Sequence, residues 1–208
     1  MAVAIPFVLC AAAYGTAVAF GVGRLTVRPG DANLEWAINL AISAVLGTII
    51  ILGEEIGWRG YLLPRMQALT GTQRQAALAT GFVHGCFHLP LILLATTYDT
   101  GVPRWLAAPV VVALITAGGV FYAWIWDRSK SVWPVAIAHN TVNTAFDLGA
   151  AGVVSGGSMN IAYVAGETGA ATLAVVVVTA VLLWRYARVW RTPGQDCGAA
   201  QPAPIAAA

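Results

Sequence analysis

Charge is what this sequence has least of. Aspartate, glutamate, lysine and arginine together make up 10% of its 208 residues, where a soluble domain carries roughly a quarter. So few charges could not cover a water-facing surface, which leaves lipid to cover much of it. Lysine is almost missing: ten of the eleven basic residues are arginine, Lys130 being the exception. That bias hints at bacterial, GC-rich coding. A net charge of only +2, with the arginines scattered along the chain, does not supply the basic patch of a nucleic-acid partner. Cysteine is equally scarce. Cys10, Cys86 and Cys197 are far apart, so they offer no disulfide framework and no metal knuckle. The first 23 residues have no basic leading segment, which argues against a cleaved signal peptide and for a retained first span.

Hydrocarbon is what the chain has in excess: 59% of residues are apolar and the mean hydropathy is +0.75. A membrane helix needs roughly 20 mostly apolar residues. Six stretches meet or approach that length, at residues 2–22, 34–53, 76–97, 105–126, 132–154 and 170–190. The expectation is an all-α, polytopic transmembrane bundle of about six spans. It occupies residues 1–192 as a single domain, and a disordered tail follows at 193–208. Residues 56–69 read as a short amphipathic extension broken at Pro64. Loop charge predicts the orientation. Arg59, Arg65, Arg74, Arg128, Lys130, Arg185, Arg188 and Arg191 fall on one side, against Arg24, Arg28 and Arg104 on the other. Both termini are therefore expected in the cytoplasm, with the protein multi-pass in the plasma membrane. Trp36, Trp105, Trp126, Trp133, Trp184 and Trp190 fall near span ends, where an indole can keep its ring in lipid and its N–H wet. Gly118 and Gly119 predict close helix approach.

A few polar residues break these spans. His84, His88 and His139 all lie inside apolar stretches, as do Asn140, Asn143 and Asp147, and Glu54 and Glu55 close the second stretch. A charge at the bilayer centre costs about 2.5–3.5 kcal/mol on insertion scales, so such residues face a protein interior or a wet cavity. They could be interhelical hydrogen-bond glue, worth about 0.6 kcal/mol each. Three histidines beside two glutamates point instead to a site. Glu55 and Arg59 stand four apart and can pair on one helix face. Glu54 points about 100° away and is left for other chemistry. One ion pair needs one glutamate, so the second is surplus. His139 and Asn143, also four apart, could stabilise a developing oxyanion. The same groups could serve a proton-coupled transporter, or persist in a non-catalytic immunity or scaffold protein.

In order, the chain reads Glu54-Glu55-Ile56-Gly57-Trp58-Arg59-Gly60-Tyr61-Leu62-Leu63-Pro64, then His84-Gly85-Cys86-Phe87-His88-Leu89-Pro90, then His139-Asn140-Thr141-Val142-Asn143. This succession resembles the CPBP family of intramembrane endopeptidases, the CAAX-processing and bacteriocin-processing group also called Abi proteins. The resemblance covers residues 35–150 and implies hydrolysis of a peptide or protein substrate within the lipid bilayer. It implies that Glu54 is the general base, with His88 helping to hold the water. Glu55 and Arg59 would organise the motif, and His139 and Asn143 would hold the oxyanion. It also leaves room for zinc on Glu54, His88 and His139, although metal-free water activation is preferred because no His-Glu-x-x-His string is present. One position departs from the pattern: four residues before His88, where the family has an aromatic residue, this chain has His84.

Overall fold

The computed structural model describes residues 1–26, 30, 33–95 and 100–190; Cys197 and the tail expected at 193–208 lie outside them. The chain folds into an all-α bundle. Its helices are α1 (Ala4–Ala19), α2 (Leu34–Glu55), α3 (Leu63–Thr70), α4 (Gln73–Phe87), α5 (Leu89–Leu94), α6 (Arg104–Ser129), α7 (Val132–Gly152) and α8 (Ala170–Tyr186). A π-helical turn, Ile56–Leu62, joins α2 to α3 without a break. Two short strands, β1 (Gly23–Leu25) and β2 (Val153–Ser155), form an antiparallel ribbon after α1 and α7, with Gly23 opposite Ser155.

Helix ends fall where the sequence supplies caps. Asn33 accepts a hydrogen bond from the Trp36 amide at 2.8 Å and starts α2. Thr72 does the same for α4, accepting from the Gln75 amide. Gly71, at φ +70°, closes α3 in the left-handed conformation that glycine adopts without a Cβ penalty. The two-residue turn at 71–72 therefore folds α4 back along α3 and the π turn. Pro64 does not break the segment as expected. It lies in the first turn of α3, where a missing N–H is no loss. Pro90 sits likewise at the start of α5, so the third stretch divides at His88.

Three helical segments among the described residues are long and apolar enough to cross a membrane: Leu34–Thr70, Gln73–Leu94 and Arg104–Ser129. Two shorter apolar helices, Ala4–Ala19 and Ala170–Tyr186, accompany them. α6 is the central helix, with Ala107, Val111, Leu114, Val120, Phe121 and Trp124 all buried. On one side α4 lies against it almost backbone to backbone. A methyl added at Gly81 would stand 2.7 Å from the Thr116 carbonyl oxygen, and one at Gly119 would stand 2.7 Å from Gly81 Cα. In lipid, where hydrophobic burial does not drive helices together, such small-residue contacts supply the packing. Gly119 makes the approach expected of the Gly118-Gly119 pair. Gly118 meets only the edge of Tyr122.

α2 is peripheral. Ile42, Val45, Leu46, Ile49 and Ile50 are all exposed, an apolar face of the kind that lipid covers. It is pinned to α7 by Asn140, whose Nδ2 donates to the carbonyls of Ser43 and Ala44 and to Thr48 Oγ1 at 3.2–3.3 Å. Gly47 makes room for that carboxamide. At the other end of the bundle, buried Asp127 accepts from Gln67 Nε2 and Lys130 Nζ through Oδ1, and from Trp190 Nε1 through Oδ2. Trp190 is thus held by the protein, whereas Trp105 and Trp133 stand exposed as interfacial residues would.

Candidate active site

The end of α2, the π turn, α4, α6 and α7 converge on one buried ion pair. Arg59 Nη1 donates to both oxygens of Glu55, at 2.7 and 2.9 Å, and the two residues are 1% and 0% exposed. The four-residue spacing that predicts this contact holds although Arg59 lies in the π turn. There the Leu63 amide reaches back five residues to the Trp58 carbonyl. Such widened turns occur often at functional sites. His139 joins the pair from α7, with Nδ1 2.7 Å from Glu55 Oε1. Beside a guanidinium, Glu55 is a carboxylate and can only accept, so Nδ1 of His139 carries the proton and Nε2 is left over.

His88 is fixed in the same sense. Its Nδ1 lies 3.0 Å from the His84 carbonyl, which can only accept, so here too Nε2 is the remaining nitrogen. His84 stands between the two. Its ring lies 4.5 Å from Trp58 in a stack, 5.0 Å from His88 and 5.9 Å from His139. Tyr122 of α6 closes the far side, 5.2 Å from the His139 ring and 4.6 Å beneath the Arg59 guanidinium.

Glu54 is exposed and lines an apolar groove of about 390 Å³ with Gly53, Gly57, Trp58, Tyr61, Leu62 and Phe87. Among the described residues it takes part in no hydrogen bond or ion pair, as its offset from Glu55 predicts. Trp58 lines the groove and also touches the cluster. Its indole touches Phe87 on one side and His84 on the other. Asn143 is half-buried one turn beyond His139, on the same face of α7, and has no hydrogen-bond partner among the described residues. The structure therefore joins Glu55, Arg59 and His139 directly and sets His88 beside them through His84. Glu54 and Asn143 remain without hydrogen bonds to the others. No group of three His, Cys, Asp or Glu side chains among the described residues is placed to hold a metal ion. As arranged, Glu54, His88 and His139 do not fit the zinc site that the sequence leaves open.

A family model described as type II CAAX prenyl endopeptidase Rce1-like matches residues 34–145. The chain belongs to this family. The matched region runs from the start of α2 into α7 and contains all three motifs, with every residue of the cluster. Membership supports an intramembrane endopeptidase of the CAAX type, acting on a protein substrate in the membrane. No curated protein and no solved structure matches the chain.

Two residues of this family member's cluster are invisible to sequence reasoning. Tyr122 lies in a span with no motif, and its only signal is a polar-tipped aromatic in mid-helix. Trp58 is inside the first motif but reads as filler there. Its contact with both the groove and His84 depends on the π turn, which no residue pattern announces.

Proposed function

We propose that the protein hydrolyses a peptide bond of a membrane-associated peptide or protein, using a water activated by Glu54. The observation that carries this reading is the division of labour between adjacent carboxylates. Glu55 is saturated by Arg59 and His139, while Glu54 faces an apolar groove with all its acceptor capacity free. The substrate backbone lies along that groove. Glu54 takes a proton from water as the oxygen attacks the scissile carbonyl. The resulting oxyanion is held by the Asn143 carboxamide and by His139, which donates from Nε2–H while its Nδ1–H stays on Glu55. The proton then passes from Glu54 to the leaving nitrogen, and the C–N bond breaks. His88, with Nδ1 tied to a backbone carbonyl, presents Nε2 as the acceptor that orients the water. No step passes through a metal. The catalytic type is thus glutamic.

The enzymatic unit is residues 1–192, set in the plasma membrane with both termini cytoplasmic, a placement supported by the arginine bias of the loops. The test is cleavage of a membrane peptide library by purified protein in bilayers. Wild type should cut and Glu54→Ala should not, with its fold unchanged. Undiminished cleavage by Glu54→Ala overturns the mechanism. Proton flux without cleavage would make the protein a transporter instead.

A further inference from the structure

Behind the Glu55–Arg59 pair lies a group of buried polar atoms that nothing in the proposed reaction uses. Arg59 Nε and Nη2, Thr80 Oγ1, and both ring nitrogens of His84 have no hydrogen-bond partner among the described residues. The three residues are 1%, 2% and 2% exposed. They are also level with one another. The π turn and α3 run antiparallel to α4, with Trp58 stacked on His84 at one end and Leu63 packed on Ala76 and Ala77 at the other. Arg59 lies between those contacts on its strand of the hairpin, and Thr80 between them on α4. Thr80 and His84 are four apart and share a helix face. His84 also stands 5.9 Å from the His139 ring, which meets the same Glu55 oxygen that Arg59 grips.

Leaving one buried donor or acceptor unpaired costs about 1–3 kcal/mol, and more for a charged group. Five such atoms on three buried residues of one helical hairpin is not a stable arrangement when dry. Their chemistry is complementary: two guanidinium N–H donors, a hydroxyl that can donate and accept, and an imidazole with one donor and one acceptor. We propose that Arg59, Thr80 and His84 enclose resident water, and that His84 is a positioning residue acting through it. A bridging water accepts from the guanidinium and donates to the free lone pair of His84. That bond holds the plane of Arg59, leaving Nη1 alone to grip Glu55, and Glu55 in turn orients His139. The water is resident and not in transit. Leu63, Ala76, Ala77 and Ala123, each 0–1% exposed, seal one end, while Trp58 and Tyr122 flank the other. Nothing here supplies the nucleophilic water, which the proposed reaction places at Glu54 in the groove. The hydrated pocket stands on burial and geometry alone; the positioning role also rests on the function proposed above.

The experiment compares the full-length wild type with His84→Phe, which keeps the stack on Trp58 but removes both nitrogens, and with His84→Asn and His84→Gln, which return a hydrogen-bonding group. A structure at a resolution that shows ordered water should place a water within hydrogen-bond distance of both Arg59 and His84 in the wild type. In His84→Phe, kcat should fall about tenfold to a hundredfold with KM unchanged, the scale of loss for a displaced catalytic group. The Nδ1 resonance of ¹⁵N-labelled His139 should shift as its bond to Glu55 loosens. At least one amide variant should recover most of kcat and the wild-type resonance. A dry pocket overturns the hydration. Full kcat and an unmoved His139 resonance in His84→Phe overturn the positioning role. A wild type that cleaves nothing would instead sink the endopeptidase reading, and the water positions and His139 resonance would still decide this one.

Discussion

Removing the charge of Glu55 is the most revealing single perturbation of this molecule. Glu55→Gln keeps the shape of the side chain but leaves the Arg59 guanidinium 1% exposed with no anion beside it. Breaking a buried pair by neutralising one partner costs about 3–5 kcal/mol, which is roughly two to three and a half powers of ten in the unfolding equilibrium. An exposed pair would cost less than about 1 kcal/mol. The reciprocal change should be milder, because in Arg59→Met the Glu55 carboxylate keeps His139 at 2.7 Å. The double variant Glu55→Gln/Arg59→Met removes both charges and should recover most of the lost stability, since apolar replacement of a buried pair is often close to neutral. Reversible unfolding in bilayers or bicelles measures all four proteins, and the coupling energy follows from the cycle. A Glu55→Gln cost below about 1 kcal/mol, or a double variant no better than the worse single one, would refute the argument that this pair is a buried, interdependent unit.

The other predictions concern the groove, the helix contacts and the metal question. Glu54→Gln should lower kcat by about two to four powers of ten, the range of a general base. Its unfolding midpoint should not move, because the exposed Glu54 forms no ion pair among the described residues; a parallel loss of stability would mean a structural role. Gly81→Leu should cost about 1–3 kcal/mol by forcing α4 off α6, whereas Gly118→Ala should be tolerated, as the added methyl meets only Tyr122 Cε2 at 4.0 Å. Thermal unfolding that ranks the two alike would contradict the packing described. Chelators that strip zinc should leave cleavage intact, and stoichiometric metal in the purified active protein would reverse the metal-free mechanism.

Much of the architecture is legible in the sequence because lipid imposes a simple rule: every span must satisfy its own backbone, and a helix does so. The stretch at residues 34–53 therefore reads correctly as helix. What the rule does not contain is where one helix stops and another continues it. Residues 56–69 look like a separate amphipathic piece because Trp58, Arg59 and Arg65 interrupt the apolar run. Arg59 is nevertheless compatible with an unbroken helix, since Glu55 neutralises it one turn away. The Glu55–Arg59 contact is local and so follows from spacing. The approach of His139 to the same carboxylate spans 84 positions and follows only from how α2 and α7 cross, which Gly47 and Asn140 set. His84 shows the opposite limit. Its departure from the family pattern is plain in the sequence, but its unpaired nitrogens emerge only once Trp58 and α4 bury them.

The π turn has a consequence for how this segment tolerates insertion and deletion. A turn closed by a five-residue reach holds one more residue than an α-helical turn of the same span. Deleting a single residue between Ile56 and Leu62 would let the segment relax to ordinary α geometry. Everything beyond it would keep its phase relative to Glu54 and Glu55, whereas deleting a residue from the α-helical turns on either side would swing it by about 100°. Leu63 would stay beside Ala76 and Ala77, and Trp58 and Arg59 would lose the widened turn that seats them. The extra residue of this short segment is a local reserve of chain, so a one-residue deletion here should be absorbed more readily than one in α2 or α3.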